Sequence, residues 1–287
     1  MKHALILLLA LCLTCAALPA LAENADPAAL TEGEIRSVDL DGDGVAENVR
    51  WDMVPGEYDA NLTLTVASPE GAETSYATDI IGEGEVFVAD LDGDGIAEIL
   101  ISGDVMSDDY ITWCLRLREG TLYELLFPDG NRGDSGDGYY KYGYGRVTAV
   151  GEGNGLINLT GSQDMLGTWF ATRTLALPPY DRFEFNDAGL WLRSLDSGNL
   201  DDLWEYASLK LAVPLTYTDL QGNPVGTLQP GDRILVIATD KRESVRFVDP
   251  DGNEGVLAIS PDYERGWGWL VDGVPEAECF EFVPYAD

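Results

Sequence analysis

The stretch Val38-Asp39-Leu40-Asp41-Gly42-Asp43-Gly44-Val45-Ala46-Glu47 returns 51 residues later as Ala89-Asp90-Leu91-Asp92-Gly93-Asp94-Gly95-Ile96-Ala97-Glu98. Each copy places carboxylates at positions 1, 3, 5 and 9 of a short loop. Two glycines between them allow the positive φ that a sharp fold around a centre requires. Such a loop is an oxygen cage for a hard cation, and calcium is the ion expected.

The segments on either side of the loops have strand character. Residues 34–40 lead into the first loop and 48–53 leave it, while 61–67 and 73–80 form a hairpin across Ser68-Pro69-Glu70-Gly71. The second copy repeats this grammar: 85–90 enters, 98–102 leaves, and 111–118 pairs with 121–127 across Glu119-Gly120. In Ile111-Thr112-Trp113-Cys114-Leu115-Arg116-Leu117-Arg118 apolar residues occupy every second position, which predicts a half-buried strand with Arg116 and Arg118 facing outward. A shift of 60 lays Gly151-Glu152-Gly153-Asn154-Gly155-Leu156-Ile157-Asn158 on residues 91–98. The turn glycines survive, but Val150 takes the first ligand position and leaves Glu152, Asn154 and Asn158 as oxygen donors, so a degenerate loop without calcium is expected. Its outer strands fall at 169–177 and 182–185, with 189–194 pairing back.

Units of four strands at this spacing are the signature of propeller-like blades. A closed propeller needs about four blades or more. With three in sight, the array is incomplete, oligomeric, or completed by strands the sequence does not mark. Between the second and third units lies a glycine-rich loop, 129–138, containing Arg132-Gly133-Asp134-Ser135, followed by Tyr139, Tyr140, Tyr142 and Tyr144. Two readings stand for the tyrosines, an amphipathic platform for sugar or peptide and edge-strand packing on the sheet.

From about residue 203 the texture changes to short strands at 209–216, 226–232, 233–239, 245–248, 256–259 and 268–271. Asp251-Gly252 supplies a hairpin turn. Asp249, Asp251 and Asn253 read as turn chemistry, because Leu257 stands where the ninth-position acid would be.

The loops at 39–47 and 90–98 resemble the calcium loops of FG-GAP/VCBS-type repeats, found in integrin-like β-propellers and in secreted bacterial proteins. The resemblance covers residues 34 to about 195 and implies ligands from side chains at positions 1, 3, 5 and 9 and the carbonyl at position 7. Carried over, these are Asp39, Asp41, Asp43, Glu47 and the carbonyl of Val45, then Asp90, Asp92, Asp94, Glu98 and the carbonyl of Ile96. EF-hand and dockerin loops need an acid at position 12, where this chain has Arg50 and Ile101. The last segment resembles a bacterial SH3-type barrel through Val225-Gly226-Thr227-Leu228-Gln229-Pro230-Gly231-Asp232, the Asp-Gly hairpin and Gly268-Trp269-Leu270. Such domains are implicated in cell-wall or peptide binding. The expected fold is therefore all-β, a propeller-like array of about three four-stranded blades over 23–202 and a small SH3-like β-barrel over 203–287.

The chain opens with Met1-Lys2-His3, an apolar run to Leu18, and Ala20-Leu21-Ala22, the form of a secretory signal peptide cleaved after residue 22. A secreted or extracytoplasmic location follows, with cell-surface association. No later stretch reaches the ~18 apolar residues of a membrane span. The only histidine, His3, lies in that leader, which removes imidazole-based nucleophilic systems and histidine-ligated zinc from the remaining chain. With 51 acidic and 17 basic residues, a formal charge of −34, the surface field repels nucleic acid. Beyond the leader only Cys114 and Cys279 remain, one bridge or two buried thiols. The expected function is a calcium-binding, calcium-stabilised protein without enzymatic activity, contacting a cell-wall polymer, a glycan or a surface protein. The alternatives are a carbohydrate-active enzyme with a carboxylate pair, for which Asp104, Asp108 and Asp109 are first candidates, and an accessory scaffold with no ligand beyond calcium.

Overall fold

A computed structural model describes residues 29–56, 60–106, 109–128, 139–178, 181–186, 189–193, 200–266 and 268–285. The leader at 1–22, the Arg-Gly-Asp-Ser tetrapeptide and Asp108 lie outside the described residues. Among the described residues the chain is all-β, with two short helices, and the pairings draw no closed barrel or propeller. None of these helices is long and apolar enough to cross a membrane. The chain divides into two compact units. Of the described residues, one unit holds those up to Gly161 together with Arg173–Asp187, the other Ser162–Thr172 with Ala188–Asp287. Where the sequence draws one boundary, after residue 202, the chain passes between the units at 161, 172 and 187.

Three antiparallel meanders follow in chain order, the first two of them within the first unit. β1 (Arg36–Val38), β2 (Glu47–Pro55), β3 (Ala60–Ala67) and β4 (Glu73–Ile80) form the first. Burial alternates along β3, where Leu62, Leu64 and Val66 are inside, so one face is apolar and the register is fixed by it. The β3–β4 ladder runs unbroken from Ala60↔Ile80 to Ala67↔Glu73. β5 (Gly84–Ala89), β6 (Glu98–Met106), β7 (Asp109–Arg118) and β8 (Thr121–Glu124) form the second. β9 (Phe127–Pro128) pairs with β10 (Tyr139–Tyr140), and β11 (Gly143–Tyr144) adds to the edge of β7. The third meander comprises β12 (Arg146–Val150), β13 (Leu156–Asp164), β14 (Thr168–Ala176) and β15 (Glu184–Phe185).

One core cluster joins the first two sheets face to face. Val49, Trp51, Leu62, Leu64 and Val66 meet Val86, Val88, Ile99, Ile101, Trp113, Leu115 and Leu117. The second sheet is covered on its other face too. Leu100, Ser102, Thr112 and Cys114 are all buried there; the Val147 amide donates to Ser102 Oγ at 3.2 Å, and Thr112 Oγ1 donates to the Gly145 carbonyl at 2.7 Å. This corrects the outward placement of Arg116. Alternation on one face says nothing about what covers the other, and Arg116 lies in the second buried layer with Cys114, whereas the Arg118 side chain is 51% exposed.

The tyrosines form a row in which Tyr140 and Tyr142 stack at 5.8 Å and Tyr142 and Tyr144 meet edge-on at 5.6 Å. Tyr142 packs on the core, Tyr139 lies beneath the Arg182 guanidinium, and Tyr144 is largely exposed.

The second unit contains β16 (Trp191–Arg193), α1 (Leu200–Tyr206), β17 (Leu209–Lys210), β18 (Leu215–Thr218), β19 (Pro224–Leu228), β20 (Arg233–Thr239), β21 (Ser244–Val248), β22 (Glu254–Pro261), β23 (Trp269–Val271), β24 (Val274–Pro275) and α2 (Glu276–Cys279). β20, β21 and β22 form a meander, and β22 changes partner along its length from β21 to β23. The β21–β22 turn is fixed by Asp249: its Oδ1 accepts the Asp251 and Asn253 amides at 2.9 and 2.8 Å, with Gly252 at φ 85°. Asp219, Gly222 and Asn223 build the same turn between β18 and β19, again with amide bonds of 2.9 and 2.8 Å to the aspartate. The shared Asp-x-x-Gly-Asn string is legible in the sequence once both copies are aligned.

Cys114 and Cys279 are free, buried thiols. Burial pushes both thiols up, Cys279 to about 11, so thiolate is scarce at neutral pH. Alkylation of the native chain at pH 8, followed by peptide mapping, is therefore expected to leave both unmodified until denaturant is added; rapid labelling of either would contradict this burial.

Candidate metal centre

Both acidic loops are built on the same backbone frame. Gly42 and Gly44 have φ of 79° and 83°, and Gly93 and Gly95 have 77° and 88°. Side chains with a Cβ strongly disfavour that region. In the first loop Asp39 receives the Gly42 amide on Oδ1 at 2.7 Å and the Gly44 amide on Oδ2 at 2.9 Å. Asp41 accepts from the Asp43 amide at 3.2 Å and Asp43 from the Val45 amide at 2.7 Å. The second loop repeats these bonds through Asp90, Asp92 and Asp94 at 2.8, 2.9, 3.2 and 2.8 Å. Each set of three aspartates brings one oxygen per residue within 4.8 Å of the others, and among the described residues these are the two groups able to hold a metal ion. Three carboxylates with all-oxygen chemistry fit a hard divalent cation and offer nothing soft.

The ninth-position acids stand apart from these triads. Oε2 of Glu47 accepts the Leu40 amide at 2.9 Å, and Oε2 of Glu98 accepts the Leu91 amide at the same distance. Each glutamate thus ties the end of its loop back to the second position. Both are buried, and burial pushes both carboxyls up from the ordinary value, against the lowering effect of those amides and, for Glu98, of Arg116. Val45 and Ile96, whose carbonyls complete the expected ligand set, directly follow the second glycine of each loop.

The loops stack on one another through the backbone. The Ala97 amide donates to the Asp39 carbonyl at 3.1 Å, the Gly153 amide to the Asp90 carbonyl at 2.9 Å, and the Gly155 amide to the Leu91 carbonyl at 2.6 Å. The third copy keeps the frame with a single acid, Glu152. Gly153 and Gly155 both have φ 72°, and Asn154 Oδ1 accepts the Leu156 amide at 2.9 Å, as Asp94 does for Ile96. At its ninth position Asn158 accepts a bond from Thr174 Oγ1 at 2.8 Å.

Close approach of the third loop constrains Gly93 in addition to its backbone angle. A Cβ there would lie 3.2 Å from the Gly153 carbonyl oxygen and 3.3 Å from its Cα. Gly93→Ala is expected to cost about 1–2 kcal/mol from the left-handed backbone alone, plus the displacement of the third loop. Gly120→Ala, at φ 72° with open space around it, isolates the backbone cost. Equal losses of denaturant midpoint in the two variants would show that the stacking contributes nothing.

A cleft of about 700 Å³ opens beside the first loop, lined by Asp41, Gly42, Asp43, Arg118, Glu119 and Tyr123. Arg118 is held there by a two-pronged bond to Asp181 at 2.6 and 2.5 Å, and Tyr123 is half exposed. The residue that sequence reasoning missed is Arg116. Its Nη2 reaches Asp92 Oδ2 at 3.1 Å, its Nε reaches Glu98 Oε1 at 2.9 Å, and Nη2 also contacts that oxygen. Extending the ladder one step beyond Ile99↔Leu115 sets Arg116 opposite Glu98, so the hairpin register carries the signal.

No protein-family model, curated protein or solved structure matches the chain.

Proposed function

We propose that the chain is a secreted bacterial calcium-binding protein of the FG-GAP/VCBS type, stabilised by two calcium ions. Its three four-stranded meanders would be successive blades of a propeller-like array. Its C-terminal strands would form an SH3-like module that contacts a cell-wall polymer, a glycan or a surface protein. The observation that carries the reading is the duplication of one carboxylate triad on one backbone frame, bond for bond, in consecutive sheets. Loops that only needed to turn would not require three acids each, since the third copy turns with Val150, Glu152 and Asn154 in their place. The stacking of the loops supports a structural role for the ions, with the contact surface elsewhere.

The binding half of the reading is tested by passing the full chain over insoluble cell wall, immobilised glycans and immobilised surface-protein extract, in calcium and in EDTA. Retention on one of the three, reduced in EDTA, is expected. Passage through all of them in calcium overturns it.

A further inference from the structure

We propose that Arg116 is a resident counter-cation of the second loop, so that two loops of nearly identical sequence take calcium with different affinity. The inference rests on the calcium reading above and deepens it by ranking the sites. The first loop carries Asp39, Asp41, Asp43 and Glu47, and among the described residues no basic side chain is ion-paired to any of them. Arg118 lines the adjacent cleft, but its guanidinium is engaged by Asp181. Asp41 and Asp43 are exposed to solvent. Among the described residues, then, no cationic side chain is bonded to the acids of this loop.

The second loop already has one. Arg116, Asp92 and Glu98 have side chains 8%, 6% and 0% exposed, so their attraction is little screened by water or salt. The guanidinium bonds to Asp92 Oδ2 and Glu98 Oε1, two of the four acids expected to draw the ion. A divalent cation entering there meets a fixed positive charge next to its own ligands and must share Asp92 with it. In the first repeat the corresponding register step, one beyond Asn48↔Ala67, sets Ser68 opposite Glu47, and serine supplies no charge. The difference between the loops therefore comes from the neighbouring strand and not from the loop sequence.

Calorimetric titration of the calcium-stripped full chain with calcium chloride tests this. Two binding events are expected, the second weaker by about tenfold or more, the order that one unit charge at short range produces in a partly buried site. Asp41→Asn removes the tight event, and Asp92→Asn leaves it in place. Arg116→Met strengthens the weak event by about the same factor; if that variant does not fold without calcium, the two aspartate variants decide alone. Two events of equal affinity, or a tight event lost in Asp92→Asn and kept in Asp41→Asn, overturn the inference while leaving the calcium reading intact. Absence of any calcium heat, with a melt insensitive to the ion, removes both.

Discussion

Excess EDTA is expected to lower the melting temperature of the full chain by about 5–10 °C for each saturated loop, relative to millimolar calcium. Four acids lie on nine residues of each loop, and folding fixes three of their oxygens within 4.8 Å of one another. The unfolded chain lets the same charges separate and binds the ion poorly, so the ion favours the native state by linkage. At a free concentration of 100 times Kd one site contributes about 2.7 kcal/mol, and for a chain of this size each kcal/mol moves the midpoint by about 2–4 °C. Magnesium is the informative control. It demands octahedral geometry and gives up water reluctantly, so it is expected to restore less of the loss at equal concentration. Superimposable melts in EDTA and calcium would remove the metal from the account of this fold.

Much of the strand pattern is readable from periodicity because strands facing one core alternate. Residues 73–80 and 233–239 read as strands in the sequence and are β4 and β20 in the structure. Both glycine frames and the decayed third copy are likewise legible, since a left-handed position leaves a glycine and a repeat leaves a period. The helix α1 is not legible. Its seven residues, Leu200–Tyr206, are too few for a 3.6-residue period to emerge. Nor does the turn at Asp219 stand out until its copy at Asp249 is set beside it.

The candidate centre divides the same way. The triads follow from spacing alone, because every second residue of the loop is an acid. The placement of Glu47 and Glu98 does not, since whether a ninth-position carboxylate points at an ion or back at the amide of position 2 depends on burial at the strand entrance. Arg116 shows the limit most clearly. A strand with one apolar face is ambiguous about its other face, and the carboxylates that make Arg116 a buried counter-charge, Asp92 and Glu98, lie outside its own strand.

That burial makes Arg116→Met the substitution with the largest expected effect on stability, a loss of about 3–5 kcal/mol in the absence of calcium. Methionine fills much of the volume, so the loss is electrostatic: Glu98, fully enclosed, keeps its charge without the guanidinium that compensates it. Urea denaturation in EDTA at neutral pH measures the loss, and the pH dependence identifies its source. Burial already pushes the Glu98 carboxyl up in the intact chain, and Arg116 opposes that shift. Removing Arg116 raises the folded-state value further above the unfolded one. The native state of the variant then binds the proton more tightly than the unfolded chain does, so its stability is recovered below the ordinary glutamate range and lost as pH rises through the raised value. The gap from the unsubstituted chain should therefore be widest at neutral pH and narrow on acidification. Pairing the substitution with Glu98→Gln removes the stranded charge and should recover most of the difference at neutral pH. A loss that is independent of pH, and unchanged by Glu98→Gln, would mean that Arg116 acts through packing of its aliphatic stem and not as a counter-ion.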